Sequence, residues 1–227
     1  MLIQKIKSGV RISTIRVDNK DYKVTQTVLT AKGCAVGDKI TPDELEYLIN
    51  ESDRENAWES LLALLSRAPH TIQDCRDILR DKGYRYTSVR HVIDKGIKMG
   101  VLNDKKFAEF HVLSNCEIKG VGLIKSEMKA KGVSDEIIDE AIENADINEP
   151  NVCIEVTMRF MKGKNIADPR TKERLVKFLI GRGFSIDNIK NAMPLIGHYI
   201  GKDEGPAVDP SIEIIEGEEI RITSTEE

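Results

Sequence analysis

One pattern occurs three times in this chain, and it limits the possible folds more than any other feature. The stretches ILRDKGYRYTSVRHVI, EMKAKGVSDEIIDEAI and FLIGRGFSIDNIKNAM align on Gly83, Gly132 and Gly183, which lie 49 and 51 residues apart. Apolar residues precede each glycine by eight and four positions and follow it by one and six, and a cation directly precedes it. Such a recurrence predicts tandem structural repeats.

The spacing predicts that each glycine ends one helix and precedes another. Apolar residues four apart share a helix face, and a cation suits the negative end of the helix dipole. Glycine accepts the left-handed conformation that commonly follows a helix. Further helical patterns at 55–67, 104–117 and 149–162 supply an upstream helix for each unit. We therefore predict three tandem three-helix units, which stack into an elongated, curved body.

The first 40 residues follow a different pattern. Apolar and polar residues alternate in RISTIRVDNKDYKVTQT around the turn-forming DNKD. This alternation predicts a β-hairpin, which we expect to pack on a third short strand near Val28 or on the first helices. Thr41, Pro42 and Glu44 then match a helix start with a capping box.

The predicted fold class is mainly α, with helix-turn-helix-like repeats, a small N-terminal β-hairpin and an acidic C-terminal tail. From Gly201 onward the chain has two basic and nine acidic residues, a net charge of −7, whereas residues 1–200 have a net charge of +3. We predict that this tail is disordered. The expected segments are 1–40 for the hairpin, 41–102, 103–147 and 148–200 for the repeats, and 201–227 for the tail.

Composition and motifs argue against most catalytic chemistry. The four histidines and four cysteines lie far apart, without metal-ligand spacing, and no phosphate-binding loop or nucleophile motif is present. We therefore predict no catalytic, metal-binding or cofactor-binding residues, and a protein that is not an enzyme. The cysteines read as reduced and mostly buried. Because the sequence has no long apolar segment and no signal sequence, we expect a cytoplasmic protein. We also expect a monomer.

Cations recur at helical spacing on the second helix of every predicted unit, and others directly precede the glycines. Each stripe alone is typical of a solvated helix face, and each cation before a glycine is explained by helix capping. The recurrence favours a shared binding surface for protein or phosphate. Together with Lys119 the candidate residues are Arg76, Arg80, Lys82, Lys125, Lys129, Lys131, Arg170, Arg174, Lys177 and Arg182.

The chain resembles the RecX family of regulatory proteins. The resemblance covers about residues 55–195 and is carried by SRAPHTIQDCRDILRDKGY, MGVLNDKKFAEFHVLSN, IKSEMKAKGVSDEIIDEAI and VKFLIGRGF. In the second stretch Asn103, Asp104, Phe107 and Ala108 match the start of the family's central repeat. The resemblance implies a regulator that binds RecA filaments on DNA and inhibits ATP hydrolysis, recombination and the SOS response, with DNA as a weak, non-specific contact.

The central repeat departs from the family pattern. Asn115, Cys116 and Glu117 stand where the family commonly has arginines, and the following loop is a shortened GVG. This departure weakens the expected DNA contact of the middle repeat. Two alternatives therefore stay open: a sequence-specific helix-turn-helix DNA binder, and an interaction scaffold without DNA contact. The acidic helix SDEIIDEAIENAD argues against the first.

Overall fold

The computed structural model describes residues 1–164 and 168–199; residues 195–199 are described by their backbone only. In this part of the chain, a three-stranded antiparallel sheet precedes ten helices. The predicted tail, 201–227, lies outside the described residues. The mainly helical fold with a small N-terminal sheet is confirmed, whereas its elongated, curved shape stays a prediction.

The sheet contains the predicted hairpin and an additional strand at the N-terminus. Its strands are β1 (Ile3–Lys7), β2 (Ile12–Val17) and β3 (Lys20–Thr25), in the order β1-β2-β3. The hairpin turns at Asp18 and Asn19, which both have positive φ, as a two-residue turn between twisted strands requires.

The expected third strand near Val28 is wrong. Val28 lies in helix α1 (Gln26–Lys32), because Thr25 caps this helix by accepting a hydrogen bond from the Val28 amide. The alternative expectation, packing on the first helices, is correct. One face of the sheet packs with α1 and the start of α2 (Pro42–Leu65) around Ile15, Val24 and Leu48.

Helix α2 is longer than the predicted upstream helix at 55–67. It starts at the predicted capping box of Thr41 and Glu44 and continues for 24 residues without a break. Its first half contributes Leu45 and Leu48 to the core beneath the sheet, and its second half contributes Ala57 and Leu61 to the next core. The predicted lead-in helix and the first helix of the first repeat are therefore one helix.

Three successive groups of three helices follow the predicted order. They are α2 with α3 (Ile72–Asp81) and α4 (Tyr86–Lys98), α5 (Asp104–Asn115) with α6 (Val121–Ala130) and α7 (Asp135–Asn144), and α8 (Glu149–Met161) with α9 (Pro169–Gly181) and α10 (Ile186–Tyr199). The chain forms two compact units, Met1–Phe107 and a second that begins at Ala108, so the boundary falls within α5. The domain limits expected from the sequence stay predictions.

The repeated positions have the predicted environment. At eight and four positions before the glycines, all six side chains are completely buried: Cys75, Ile124, Leu175, Leu79, Met128 and Leu179. The glycines have φ values between 76° and 85°, and Lys82, Lys131 and Arg182 are the C-cap residues of α3, α6 and α9. All four cysteines are free thiols, and Cys75 and Cys153 are buried. Burial raises the pKa of Cys75 to about 12.

Candidate partner and nucleic-acid interface

The second helix of each group carries the predicted cations, but their surroundings differ from one helix to the next. On α3, Arg76 is half-buried and donates a hydrogen bond to the side-chain oxygen of Gln73, 2.8 Å away. Arg80 is exposed, with its guanidinium 3.8 Å from the carboxylate of Asp77. This separation is too long for a hydrogen bond, so Arg80 is the more available of the two cations.

The lysines of α6 are neutralised by carboxylates of the next helix. Lys125 Nζ lies 2.6 Å from Asp139 Oδ1, and Lys129 Nζ lies 2.7 Å from Asp135 Oδ1. The hydrogen bond from Lys125 lowers the pKa of Asp139, and the hydrogen bond to Asp135 raises the pKa of Lys129. A phosphate would have to displace these carboxylates, so the α6 stripe is a weak site for an anion.

Helix α9 presents the least neutralised stripe. Arg170 and Arg174 are exposed, and neither forms an ion pair with any residue in the described part of the chain. Lys177 is paired with Glu173 at 2.8 Å, but both side chains are largely exposed, so solvent weakens this pair. Among the three predicted stripes, α9 is the one whose charge is most accessible to a polyanion.

The three cations before the glycines also differ in exposure. Lys82 is exposed and Lys131 is half-buried. The Arg182 guanidinium lies over the ring of Phe178, with its carbon 5.1 Å from the ring centroid, and burial lowers the Arg182 pKa. Phe178 stacks in turn on Phe160 at 4.8 Å. Arg182 therefore has a packing role in addition to its position at the helix end.

Lys119 belongs to a small charged cluster around Glu127. Its Nζ lies 2.7 Å from Glu127 Oε1, and His111 Nε2 lies 2.9 Å from Glu127 Oε2. Glu127 also interacts electrostatically with Arg182 and opposes the lowering of its pKa. The cluster therefore brings together two of the predicted site residues, Lys119 and Arg182, around one carboxylate. The charges of Lys119 and Arg182 therefore help to hold the second compact unit together.

The short GVG loop is a point of backbone contact between the second and third repeats. The Gly120 amide donates a hydrogen bond to the carbonyl oxygen of Arg182, 2.8 Å away. A Cβ on Gly120 would overlap the carbonyl oxygen of Gly183, and a Cβ on Gly183 would overlap the Leu123 nitrogen. Only glycine permits this approach on either side. Gly120 and Gly183 therefore have a structural role in this contact.

The residues that replace the expected arginines carry no positive charge to this surface. The side-chain amide of Asn115 donates to the carbonyl oxygen of His111 at 2.7 Å, Cys116 is half-buried, and Glu117 is exposed. Because Lys119, Lys125 and Lys129 are each paired with a carboxylate, the central repeat offers little free positive charge.

Sequence reasoning singled out Asn103 and Asp104 only for their family resemblance, and it missed both their capping role and the equivalent pair at the start of the third repeat, Asn148 and Glu149. Asn103 accepts hydrogen bonds from the amides of Lys105 and Lys106, and Asn148 accepts one from Asn151, so each asparagine caps its own helix. The acidic residue after each asparagine reaches back to the preceding repeat. Asp104 accepts from the Ile72 amide at 2.8 Å, and Glu149 accepts from the Val121 amide at 3.0 Å.

Each acidic residue therefore completes the N-terminus of the middle helix in the repeat before it. The carboxylate satisfies an amide that has no partner within its own helix and lies at the positive end of the helix dipole. In the sequence, this capping could have been detected from the asparagine followed by an acidic residue at the start of the second and third repeats. Helix α9 has no following repeat in the described residues and is capped by Asp168, whose side chain accepts from the amides of Arg170 and Thr171.

Over residues 1–164 and 168–199, no group of three or more histidine, cysteine, aspartate or glutamate side chains is placed to hold a metal ion. In the same part of the chain, no helix combines the length and the apolar character needed to cross a membrane.

The fold and these surfaces define a class of protein: a tandem-repeat helical protein of three-helix units, preceded by a small sheet. A family model described as the second three-helix domain of RecX matches residues 103–142. A regulatory protein RecX of Streptococcus uberis is 28% identical over 195 residues, which cover 84% of this chain and 75% of that protein. One from Caldanaerobacter subterraneus is 28% identical and covers 72% and 82% of the two chains.

Solved structures show the same fold. A crystal structure of regulatory protein RecX covers 85% of this chain and 98% of its own, with a TM-score of 0.60 and 21% identity. The structure of RecX from Lactobacillus salivarius covers 64% and 97%, with a TM-score of 0.55 and 23% identity. The chain is therefore similar to the RecX regulatory proteins in sequence and in fold.

Proposed function

We propose that this protein is a non-enzymatic cytoplasmic regulator that binds RecA filaments on DNA and inhibits RecA ATPase, recombination and SOS activity. Similarity to the RecX regulatory proteins carries this proposal, together with the fold that the chain shares with their solved structures. The protein acts as a monomer, RecA is its main partner, and DNA is a weak, non-specific contact.

Exposed apolar side chains on the central repeat support a protein partner. Phe110 and Leu113 lie three residues apart on α5 and are 55% and 66% exposed. Residues at this spacing are neighbours on a helix surface. Large apolar residues that stay exposed side by side are typical of protein-binding surfaces, so this pair is our candidate for the apolar part of the RecA contact.

The DNA contact is best placed on the third repeat. Arg170 and Arg174 lie one turn apart on α9 and are exposed, in contrast with the paired lysines of α6. Exposed arginines are suited to phosphate contacts, which orient a protein on DNA without reading its sequence.

The helix-turn-helix alternative is less well supported by the charge of the third helix in the central repeat. Helix α7 carries exposed Asp135, Glu136, Asp139, Glu140 and Glu143. A helix of this charge is repelled by the phosphates that line the major groove. The scaffold alternative differs from our proposal only in lacking DNA contact, so DNA binding distinguishes the two.

The deciding experiment measures ATP hydrolysis by RecA from the same organism on single-stranded DNA while this protein is titrated. We expect inhibition at well below one protein per RecA, because a filament regulator acts on many protomers. The variant Arg170→Gln/Arg174→Gln should need a severalfold higher concentration and show a weaker salt dependence of DNA binding. The matched control is Lys125→Gln/Lys129→Gln, which removes the same charge from paired lysines and should change both quantities less.

Two results would contradict the proposal. If a folded protein has no effect on RecA at any ratio, the regulator hypothesis fails and the scaffold or transcription-factor reading replaces it. If inhibition is normal but the charge reversal Arg76→Glu/Arg80→Glu and the α9 variant both leave DNA binding and its salt dependence unchanged, the cationic stripes are solvated surface only.

A further inference from the structure

The open face of the N-terminal sheet carries a concentrated positive charge. The strand register places Lys7, Thr14 and Lys23 in one row across the three strands, and Lys5, Arg16 and Asp21 in the adjacent row. The side chains of these residues point away from Ile15, Val17 and Val24, which face the core, because successive residues of a strand alternate between faces. The two rows thus hold four cations and one carboxylate.

The cations on this face are exposed. Lys5, Lys7, Arg16 and Lys23 are all exposed, and Thr14 is half-buried between Lys7 and Lys23. The opposite face of the sheet packs on α1 and α2 around the first core. Neighbouring strands lie about 4.8 Å apart, and alternate residues along a strand about 7 Å apart. The four charges therefore occupy an area of roughly 10 by 7 Å.

The carboxylate on this face is already engaged. Asp21 receives two hydrogen bonds from the Arg16 guanidinium, at 2.6 and 2.8 Å. Lys5 lies directly opposite Arg16 on the neighbouring strand, an arrangement of like charges that destabilises a sheet. The row of Lys7, Thr14 and Lys23 contains no carboxylate. Asp21 also attracts Lys5 electrostatically, so the cations without a carboxylate in their own row are Lys7 and Lys23.

We propose that this lysine face, defined by Lys5, Lys7, Thr14, Arg16 and Lys23, binds the phosphate backbone of nucleic acid without sequence preference. The inference extends the DNA contact of the proposed function to a second surface, in the first compact unit. The face has no aromatic side chain for base stacking, since Tyr22 belongs to the inward-facing set. Ile12 is 45% exposed and is the single large apolar residue of β2 on this side. An acidic protein segment would need a larger apolar anchor, so phosphates suit the face better.

The test uses the full chain and fluorescently labelled oligonucleotides, a 30-nucleotide oligothymidine and a 30-base-pair duplex. Binding is measured by anisotropy between about 25 and 200 mM KCl, the range in which phosphate contacts are most salt-sensitive. The variant is Lys5→Gln/Lys7→Gln/Lys23→Gln. The control is Lys98→Gln/Lys106→Gln/Lys190→Gln, which removes the same charge at exposed positions on helices.

We expect the sheet variant to bind at least about tenfold more weakly at the lowest salt, with the slope of log affinity against log salt reduced by about 2 to 3. The control should stay within about threefold of the wild type, as a change in overall charge alone predicts little loss. Circular dichroism checks that both variants are folded. Equal losses in the two variants, or no loss in either, would overturn the inference.

A shortened chain ending at Ile200 distinguishes nucleic acid from the protein's own acidic tail. If the sheet variant weakens binding only in the shortened chain, the tail occupies the lysine face and the proposal is wrong. RecA inhibition separates this inference from the proposed function. If the sheet variant loses DNA binding but the wild-type protein does not inhibit RecA, the lysine face is supported and the regulator hypothesis is refuted.

Discussion

Two glycines with the same backbone conformation have different neighbours, and this contrast is testable. Gly83 and Gly183 have φ values of 85° and 83°. A Cβ on Gly83 would meet nothing within 4 Å, whereas one on Gly183 would overlap the backbone of Leu123. Gly83 therefore serves helix termination alone, and Gly183 additionally permits the contact between two repeats.

We expect Gly83→Ala to cost about 1–2 kcal/mol of unfolding free energy, the usual penalty for a left-handed residue with a Cβ. Gly183→Ala should cost about 2–5 kcal/mol, because steric overlap adds to the same conformational penalty. Urea denaturation followed by circular dichroism measures both. Equal losses would show that the approach of Gly183 to Leu123 contributes nothing to stability.

At the scale of the secondary-structure elements, the acidic residues that begin α5 and α8 are the main addition to the sequence reading. We expect Asp104→Ala and Glu149→Ala each to lower the unfolding free energy by about 1 kcal/mol, as expected for loss of a helix cap. Asp104→Asn should cost less than Asp104→Ala. Its amide oxygen can still accept from Ile72, and it removes a carboxylate whose pKa burial raises. Thermal unfolding of the three variants tests this order, and a larger loss for Asp104→Asn would contradict it.

The pairs between α6 and α7 predict a dependence of stability on pH. The hydrogen bond from Lys125 holds the pKa of Asp139 below its ordinary value of 3.8. A lowered folded-state pKa means that the ionised carboxylate stabilises the fold above pH 3.8, and that this contribution is lost as the pH falls through the folded-state pKa. The variant Asp139→Asn should therefore lose less stability than the wild type between pH 4 and pH 2, as measured by melting temperature. Parallel curves for the two proteins would refute the contribution.

Local patterns predicted most of the elements, and the errors have a physical cause. The capping box at Thr41 and the glycine caps are local signals, so their helix ends were predictable. The register of β1 could not be predicted, because packing against the hairpin and α2 determines it more than the sequence of β1 itself. The neutralisation of the α6 lysines depends on the position of α7 relative to α6. The sequence can place the cations on a helix face but not the carboxylates opposite them.

At the scale of the whole molecule, the charge of residues 201–227 opposes that of the rest of the chain. A tail with a net charge of −7 attached to a body of +3 competes with DNA for cationic surfaces when it is near them. We expect a chain ending at Ile200 to bind DNA more tightly at low salt than the full chain, with the difference vanishing as salt screens the charges. Anisotropy titrations of the two proteins test this. Equal affinity at low salt would show that the tail does not compete.

The carboxylates of Asp104 and Glu149 also have a consequence for synthesis of the chain. The Ile72 amide has its acceptor 32 residues later in the chain, and the Val121 amide has its acceptor 28 residues later. At about 5–20 residues per second, a ribosome needs roughly 2–6 seconds to deliver each partner. During that interval the first backbone amide of the middle helix in the newest repeat lacks its carboxylate acceptor. The first and second repeats are therefore each completed by the opening residues of the next repeat, so their folding follows translation by one repeat.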